Sequence, residues 1–355
     1  HYSDLFTPRQ QIFIAASREA LREAKDPHRL WLALLVSTSL EFNSLLCGYK
    51  GASKRRPGAI RHVFSHHAYS FPYTAVENNP VFPRCTSGTL RRLFRDRVVS
   101  AGLWAEGPVE RRYNGYAWEK IRIAEEKDWG RAVQSLSELS EKSKSFLVLQ
   151  IDAREMPLPD NSVDHVVTDP PYYDSVQYSN LAQFFRVWLK WLLPEDADWQ
   201  YCASSSAVAE TGNARQKYQD TLTVIWSECH RVLKKPTGRL VFTFHHWKPE
   251  AWAALTISLK NAGFRLERSC TVHSENPISV HIRQLRALKH DAILFLRPAQ
   301  GKQRPGKFKC LERITTTDSY AFCHSCAELL GFLLENQFTD PEVASIWNKA
   351  IGTAR

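Results

Sequence analysis

The amino-acid sequence predicts an α/β fold that is preceded by a helical segment. Apolar residues have helical spacing in the first third of the chain, and from Ser145 onward strand-like apolar runs alternate with amphipathic stretches. The length, 355 residues, is sufficient to bury a large core. We expect a helical segment with a basic, aromatic loop over residues 1–144, an α/β domain over 145–297, and a basic linker with helices over 298–355.

The first segment is expected to consist mainly of helices. Thr7 and Pro8 form a favourable N-cap and N1 pair at the start of the first helix. Residues 101–144 are polar and charged, and we interpret them as a connector or an insertion. The expected helices cover residues 6–24, 28–46, 86–100 and 129–140.

The α/β domain is expected to alternate strands and helices, with its last two strands paired directly. This order is typical of a sheet covered by helices. The expected strands cover residues 146–151, 163–169, 239–245, 264–273 and 291–296. The expected helices, including two in the C-terminal part, cover residues 175–193, 217–233, 249–261, 323–336 and 341–351.

The exit from the second expected strand is the most unusual feature of the chain. An apolar run over residues 163–167 is followed by Asp169, Pro170, Pro171 and Tyr172. The prolines donate no backbone hydrogen bond and fix φ, so the turn is stiff and its carbonyls are left free. A carboxylate, free carbonyls and an aromatic face in one turn are suited to hold an exocyclic amine and to stack the ring that carries it. An ordinary turn at an edge strand is the alternative.

A second acid, Asp152, follows the first expected strand. Ligands in open α/β sheets bind at the carboxyl ends of strands, so two neighbouring strand ends offer adjacent subsites. A carboxylate at Asp152 can accept a hydrogen bond from the adenine amine of a cofactor. By itself, Asp152 is better interpreted as a turn or capping aspartate, and its short distance in sequence from the Pro-Pro turn favours the ligand role.

The composition indicates a globular protein with a polyanionic partner. The chain is 43% hydrophobic and has a net charge of +10, which favours nucleic acid first and an anionic membrane second. There is no apolar run long enough to span a bilayer and no signal-peptide pattern. Eight thinly spread cysteines suit a reducing compartment, so we expect a cytoplasmic protein without membrane contact.

The sequence TDPPYY resembles the catalytic motif of the S-adenosylmethionine-dependent methyltransferases that modify adenine N6 or cytosine N4 in DNA. The chain is most similar to the adenine-specific DNA methylases of bacteria and archaea that are described as containing a zinc ribbon. Three segments carry this resemblance, in the family's order: SDLFTPRQ at residues 3–10, VENNPVF at 76–82 and DPPYYD at 169–174. The resemblance covers about residues 1–297.

The resemblance implies a Rossmann-like methyltransferase sheet and a flipped-out adenine as the target. The Asp169 carboxylate and the Pro170 carbonyl would accept hydrogen bonds from the amine, and Tyr172, or else Tyr173, would stack on the base. Other activities left open are methylation of cytosine N4 or of RNA, and a role as a non-catalytic DNA-recognition subunit. The residues that the resemblance assigns to S-adenosylmethionine are Thr7, Pro8, Asp152, Ala153 and Asp169.

One departure from the family pattern concerns the cofactor. We find no Gly-rich loop after an apolar strand, the element that lets the backbone approach the methionine end of S-adenosylmethionine. In the family, this loop and the zinc-binding cysteines precede the LFTPRQ-like segment. We therefore expect a second polypeptide to supply the cofactor loop.

Two basic segments are candidates for DNA contact. Lys and Arg neutralise phosphates, and aromatic side chains stack on exposed bases. A solvated loop and an exposed hairpin loop are the respective alternatives. The candidate DNA-contacting residues are Lys50, Lys54, Arg55, Arg56, Arg61 and Tyr69 in the first segment and Arg283 in HIRQLRALK, with Tyr173 at the Pro-Pro turn.

Zinc is a weaker expectation. Cys323 and Cys326 have metal-ligand spacing and Cys310 lies nearby in sequence, but a second pair of ligands is missing. A structural role for these cysteines is the alternative.

Overall fold

The fold is described from a computed structural model, in which the chain forms two compact units. One unit comprises His1–Gln150 and Asn180–Tyr201, and the other comprises Ile151–Ser179 and Cys202–Arg355. These bounds differ from the three expected segments. The structure describes residues 1–51, 58–65, 69–84, 86–123, 130–141, 144–174, 178–196, 199, 206–208, 214–274, 288–299, 304–305 and 313–351.

The first unit begins with two helices, α1 (Pro8–Glu23) and α2 (His28–Leu40). The Thr7 side chain accepts a hydrogen bond from the Gln10 backbone N–H, which confirms the expected cap. Helix α2 ends six residues before the expected residue 46. The reason is a side-chain cap, because the Asn43 amide donates to the carbonyls of Ser39 and Gly88.

The next helical stretch starts later than expected, at Leu90 rather than at residue 86. Gly88 has a left-handed backbone, with φ of 78°, which interrupts a helix at this point. The stretch then continues beyond the expected end at residue 100. It consists of α3 (Leu90–Leu93), a π-helical segment (Phe94–Val99) and α4 (Ser100–Glu106).

Small two-stranded sheets complete the first unit. The expected helix over 129–140 is confirmed only in its second half, because the Ser135 hydroxyl accepts from the Glu138 backbone N–H and starts the helix there. The elements are β1 (Gly48–Lys50) with β2 (Ala59–Arg61), β3 (Val109–Tyr113) with β4 (Trp118–Arg122), β5 (Arg131–Ala132) with β6 (Ser145–Phe146), and α5 (Leu136–Glu141).

The strand expected over 146–151 is wrong beyond Phe146. Residues 147–150 have no strand structure, and the Val148 side chain is 82% exposed. An apolar run forms a strand only when a partner satisfies its backbone groups, and β6 pairs only with the short β5 among the described residues.

The core of the first unit is aromatic. The Phe6 ring lies 4.9 Å from the Trp188 ring, and the Phe64 ring lies 5.3 Å from Phe184. Both contacts are edge-to-face, the geometry that aromatic pairs prefer. Phe184 and Trp188 belong to helix α6 (Tyr178–Leu192), which was expected from residue 175.

The second unit is built on a four-stranded sheet that confirms the remaining expected strands. The strand order is β7-β8-β10-β9, in which β7 runs parallel to β8 and the other pairs are antiparallel. The strands are β7 (His165–Thr168), β8 (Arg239–Phe244), β9 (Phe264–His273) and β10 (His290–Pro298). A short parallel pair, β11 (Arg304–Pro305) with β12 (Asn336–Gln337), accompanies it.

The helices of this unit share one core with the sheet. They are α7 (Ala214–Val232), α8 (Pro249–Asn261), α9 (Ser319–Glu335) and α10 (Asp340–Ile351). The fully buried Trp252 of α8 stacks on Trp347 of α10 at 5.5 Å, and the Trp347 indole N–H donates to Thr256 Oγ1 at 3.0 Å. The C-terminal helices therefore pack with the sheet rather than forming a separate part.

Candidate active site

The candidate site lies where β7 and β8 end. Thr168, the last residue of β7, pairs with Phe242 of β8, so the loops after both strands leave from the same edge of the sheet. The loop after β7 is the Pro-Pro turn. The loop after β8 begins with His245 and His246. The structure thus adds residues of β8 to the predicted turn after β7.

A chain of hydrogen bonds fixes the Asp169 carboxylate. The Tyr172 hydroxyl donates to Thr243 Oγ1 at 2.8 Å, and the Thr243 hydroxyl donates to Asp169 Oδ1 at 2.6 Å. One hydroxyl can accept one bond and donate another, so both contacts are made at the same time. Asp169 itself is exposed to solvent, and its carboxylate is held in place while it remains accessible.

The ring of Tyr172 is packed rather than free. It makes edge-to-face contacts with Phe244 at 5.4 Å and with His245 at 4.9 Å. Burial raises the pKa of the Tyr172 phenol, which keeps it a neutral donor. The position that the sequence assigned to base stacking therefore also anchors the turn to β8.

The two proline carbonyls have different surroundings. The Pro171 carbonyl accepts from the Tyr218 hydroxyl at 2.7 Å and from the Tyr173 backbone N–H at 3.0 Å. Pro170 is buried, and within the described part of the chain no donor contacts its carbonyl. Of the two, the Pro170 carbonyl is therefore the acceptor left for a ligand.

A second polar cluster follows the turn. The Asp174 carboxylate interacts with His246 Nε2 at 3.0 Å and also pairs with the Lys248 ammonium. Burial opposes ionisation of Asp174, yet these partners together lower its pKa, while burial lowers the pKa of His246. Tyr173, whose φ is +51°, places its ring edge-to-face with His246 at 5.6 Å. Backbone strain of this kind is found at functional sites.

The Asp152 carboxylate is engaged by its own neighbour. Arg154 donates to it from the backbone N–H at 2.9 Å and from the guanidinium at 2.5 to 3.0 Å. These hydrogen bonds lower the pKa of Asp152 to about 2. Ala153 is exposed in the same turn. Because the expected strand before it does not form, the sheet gives no reason to place Asp152 next to Asp169.

Thr7 and Pro8 start helix α1 and are connected to the second family-like segment. The Thr7 hydroxyl donates to Glu77 Oε1 at 2.5 Å, and Arg9 pairs with the same carboxylate. The segments at residues 3–10 and 76–82, which were singled out separately in the sequence, therefore meet in the folded first unit.

The candidate DNA-contacting residues are only partly described. Lys50 and Arg61 are exposed at the ends of the β1–β2 hairpin. Tyr69 is 40% exposed and packs edge-to-face on Phe64 at 5.2 Å. Lys54, Arg55, Arg56 and Arg283 lie outside the described residues.

The described residues contain no group of three or more His, Cys, Asp or Glu side chains that could hold a metal ion. Cys323 and Cys326 are buried in helix α9, where burial raises the pKa of both thiols, and Cys310 lies outside the described residues. The zinc expectation is therefore not supported. Among the same residues, no helix has the length and apolarity that a bilayer crossing requires.

Sequence reasoning missed the partners of the turn, which are distant from it along the chain. Thr243 lies 71 residues from Tyr172, and Tyr218 lies 47 residues from Pro171. Lys248 lies 74 residues from Asp174, the carboxylate with which it pairs. Thr243 lies in the strand RLVFTF, where it is the one polar residue after Arg239, and this interruption of the apolar run was the available signal.

Neither a protein-family model nor a curated protein matches this chain. Solved structures that are similar to this chain include two of a protein from Thermus thermophilus that is provisionally described as a DNA modification methylase, one as a selenomethionine derivative and one complexed with S-adenosyl-L-methionine. For each, the identity is 20%, the TM-score is 0.25, and the match covers 44% of this chain and 54% of that chain. The chain thus spans about half the length of those proteins, and the functional argument rests on the site residues.

Proposed function

We propose that this chain is the catalytic part of an S-adenosylmethionine-dependent DNA methyltransferase that modifies N6 of a flipped-out adenine. The observation that carries the proposal is the pair of acceptors at the turn. Thr243 holds the Asp169 carboxylate at 2.6 Å, and the adjacent Pro170 carbonyl has no donor among the described residues. An amine with two hydrogens matches two acceptors in one turn.

The acceptor pair would act by orienting the amine. Two hydrogen bonds to Asp169 and Pro170 would keep the nitrogen lone pair out of conjugation with the ring and direct it at the methyl group of the donor. Catalysis of this type depends on positioning and electrostatics and needs no covalent intermediate. The methyl donor supplies the electrophilic carbon.

The base itself needs an aromatic surface. Tyr172 and Tyr173 both border the turn, and each is held edge-to-face by neighbouring rings. We propose that one of them stacks on the flipped base, with Tyr172 preferred and Tyr173 as the second candidate. Lys50, Arg61 and Tyr69 remain proposed DNA contacts.

The fold is proposed to be half of a Rossmann-like methyltransferase sheet. One parallel pair followed by an antiparallel end, in the order β7-β8-β10-β9, fits the second half of such a sheet. The described residues do not fit the whole donor, because Asp152 is engaged by Arg154 and the sequence offers no Gly-rich loop. We therefore derive no step in which this chain alone carries S-adenosylmethionine.

A second polypeptide is proposed to complete the donor site. The apolar side chains of Leu30, Trp31 and Leu34 on one face of α2 are 50%, 57% and 40% exposed, and contiguous exposed apolar residues mark protein interaction sites. Donor binding would be measured by calorimetry on the isolated chain and on the chain with a co-purifying partner. Tight binding by the isolated chain would refute the split arrangement.

The catalytic assignment is tested with Asp169→Ala in the assembled protein. We expect methyl incorporation into DNA to fall by about 10²- to 10³-fold, the usual loss when one polar group of a preorganised site is removed. Asp164→Ala is the matched control, because Asp164 precedes the same strand and pairs with Lys234 at 2.8 Å. An Asp169→Ala protein that methylates at the wild-type rate would leave only the recognition-subunit role.

The target is tested by product analysis. DNA and RNA of the same sequence are offered with labelled donor, and the modified nucleosides are identified by mass spectrometry. N6-methyladenine in DNA is the expected product. N4-methylcytosine, or modification of RNA alone, would replace the adenine-DNA assignment while keeping the role of Asp169, since the same acceptors serve either amine.

A further inference from the structure

The β3–β4 hairpin in the first unit separates its charges onto two faces. Residues 114–117 form its turn, in which Asn114 Oδ1 accepts from the backbone N–H groups of Tyr116 at 3.0 Å and Ala117 at 2.9 Å, and Gly115 has a φ of +98°. Asn-Gly is a strong local signal for a hairpin. The ribbon therefore has a local reason to form.

The register assigns each side chain to a face. Residues directly opposite each other in a pair share a face, and so do residues two apart along a strand. Arg111 is opposite Lys120, and Val109 is opposite Arg122. We call the surface formed by Val109, Arg111, Trp118, Lys120 and Arg122 the ribbon face; it carries three cations and no acid.

The opposite face has no excess of positive charge, because its one cation is paired with an acid. It carries Glu110, Arg112, Glu119 and Ile121. Arg112 pairs with Glu119 at 3.2 Å. The excess of positive charge is therefore confined to the ribbon face.

The ribbon face contributes little to the fold. Like charges directly opposite each other, as Arg111 and Lys120 are, destabilise a sheet, and the structure gives neither residue an ion pair with any described acid. The side chains of Trp118 and of Tyr116 at the tip are 67% and 96% exposed. Such a surface lowers the stability of the fold and exposes large aromatic rings to solvent. Binding of a ligand would account for both features.

We propose that the ribbon face binds duplex DNA. A two-stranded ribbon has the dimensions to enter the major groove, and Arg111, Lys120 and Arg122 would neutralise phosphates. Tyr116 and Trp118 would contact the sugar or base edges from the tip. The cationic face requires only a polyanion, whereas the choice of DNA rests on the proposed function.

The test measures binding of the full chain to a fluorescent duplex at several salt concentrations, without methyl donor. Each phosphate contact contributes a slope of about 0.9 in the plot of log affinity against log salt. Arg111→Gln and Lys120→Gln are each expected to reduce the slope by about one, and the double variant by about two. Arg112→Gln, which removes the same charge from the opposite face, is expected to leave the slope unchanged.

The outcomes separate this proposal from the proposed function. Equal slopes for Arg111→Gln and Arg112→Gln would overturn the ribbon face as the DNA contact, even if methylation persists. If Asp169→Ala loses methylation, or if the wild type shows no methylation, the result concerns the active site. Neither result changes the salt dependence of DNA binding by the ribbon face. Preference for single-stranded DNA or RNA over the duplex would also overturn the proposal. Circular dichroism melts are the control for folding, and the exposed Gln variants are expected to unfold at the wild-type temperature.

Discussion

The hydroxyl of Thr243 is the most informative single group to remove. It connects Tyr172 to Asp169, with oxygen–oxygen distances of 2.8 and 2.6 Å. Thr243→Val deletes the hydroxyl and keeps a β-branched side chain that suits strand β8. We expect methyl transfer to slow while the KM for DNA changes little, because the lost bond orients an acceptor and does not bind the DNA.

The magnitude follows from the chemistry of that bond. A hydrogen bond to a charged group contributes roughly 1.5–3 kcal/mol. Since 1.36 kcal/mol corresponds to tenfold in rate, full loss in the transition state lowers kcat by about 10- to 160-fold. Asp169 is exposed, so water can replace part of the bond. The expected loss therefore lies in the lower part of this range.

The assay is single-turnover methyl transfer with the assembled protein, with Thr243→Ser as the matched control. Serine keeps the hydroxyl and should recover most of the rate. Tyr172→Phe combined with Thr243→Val should lose less than the sum of the single effects, because both changes break the same chain. The reasoning is refuted if Thr243→Val turns over as fast as the wild type, or if Thr243→Ser is as slow as Thr243→Val.

Two further predictions concern stability and pH. Trp347→Ala should lower the free energy of unfolding, measured by urea titration, by roughly 3–5 kcal/mol, because it removes a buried ring that stacks on Trp252. The control Trp118→Ala, at an exposed position, should change this free energy by less than about 0.5 kcal/mol. Arg154 holds the pKa of Asp152 in the folded protein at about 2, below an unfolded value of about 3.9. The interaction of Arg154 with Asp152 therefore stabilises the folded state fully above pH ~4, and this stabilisation is lost as the pH falls through 2. In Arg154→Gln the pKa of Asp152, followed by NMR, should rise toward its ordinary value without reaching it, because the backbone N–H of residue 154 still donates to the carboxylate. Titration still near pH 2 would contradict the assignment to the Arg154 guanidinium.

Elements with local signals could be predicted from the sequence. Thr7 and Pro8 start helix α1 because the cap is made by the residues at that position. Strands β8 and β10 are apolar runs that pack inside the second unit. The strand expected over 146–151 has a similar apolar pattern, yet it extends only to Phe146, since strand formation also needs a neighbour.

The site was predictable only in part for the same reason. The turn at Asp169 is visible in the sequence because two consecutive prolines restrict the backbone locally. Thr243 and Tyr218, which hold that turn, contact it only after the sheet and helix α7 have packed. No spacing rule connects residues so far apart, so their roles required the structure.

The two acidic loops, at Asp152 and at Asp169, are held by different contacts. This difference bears on which ligand the second unit can bind, the target amine or the methyl donor. The Pro-Pro turn is anchored from outside, with Tyr172 bonded to Thr243 and the Pro171 carbonyl bonded to Tyr218. Tyr218 belongs to the buried core of the second unit and Thr243 to its strand β8, so the acceptors at Asp169 and Pro170 are in place before an amine arrives, as a preorganised site requires. Asp152 is instead held by its neighbour Arg154, and a donor that binds there would share the carboxylate with that guanidinium. The second unit is therefore better prepared for a target amine than for a methyl donor, which favours a donor site completed by contacts beyond this loop.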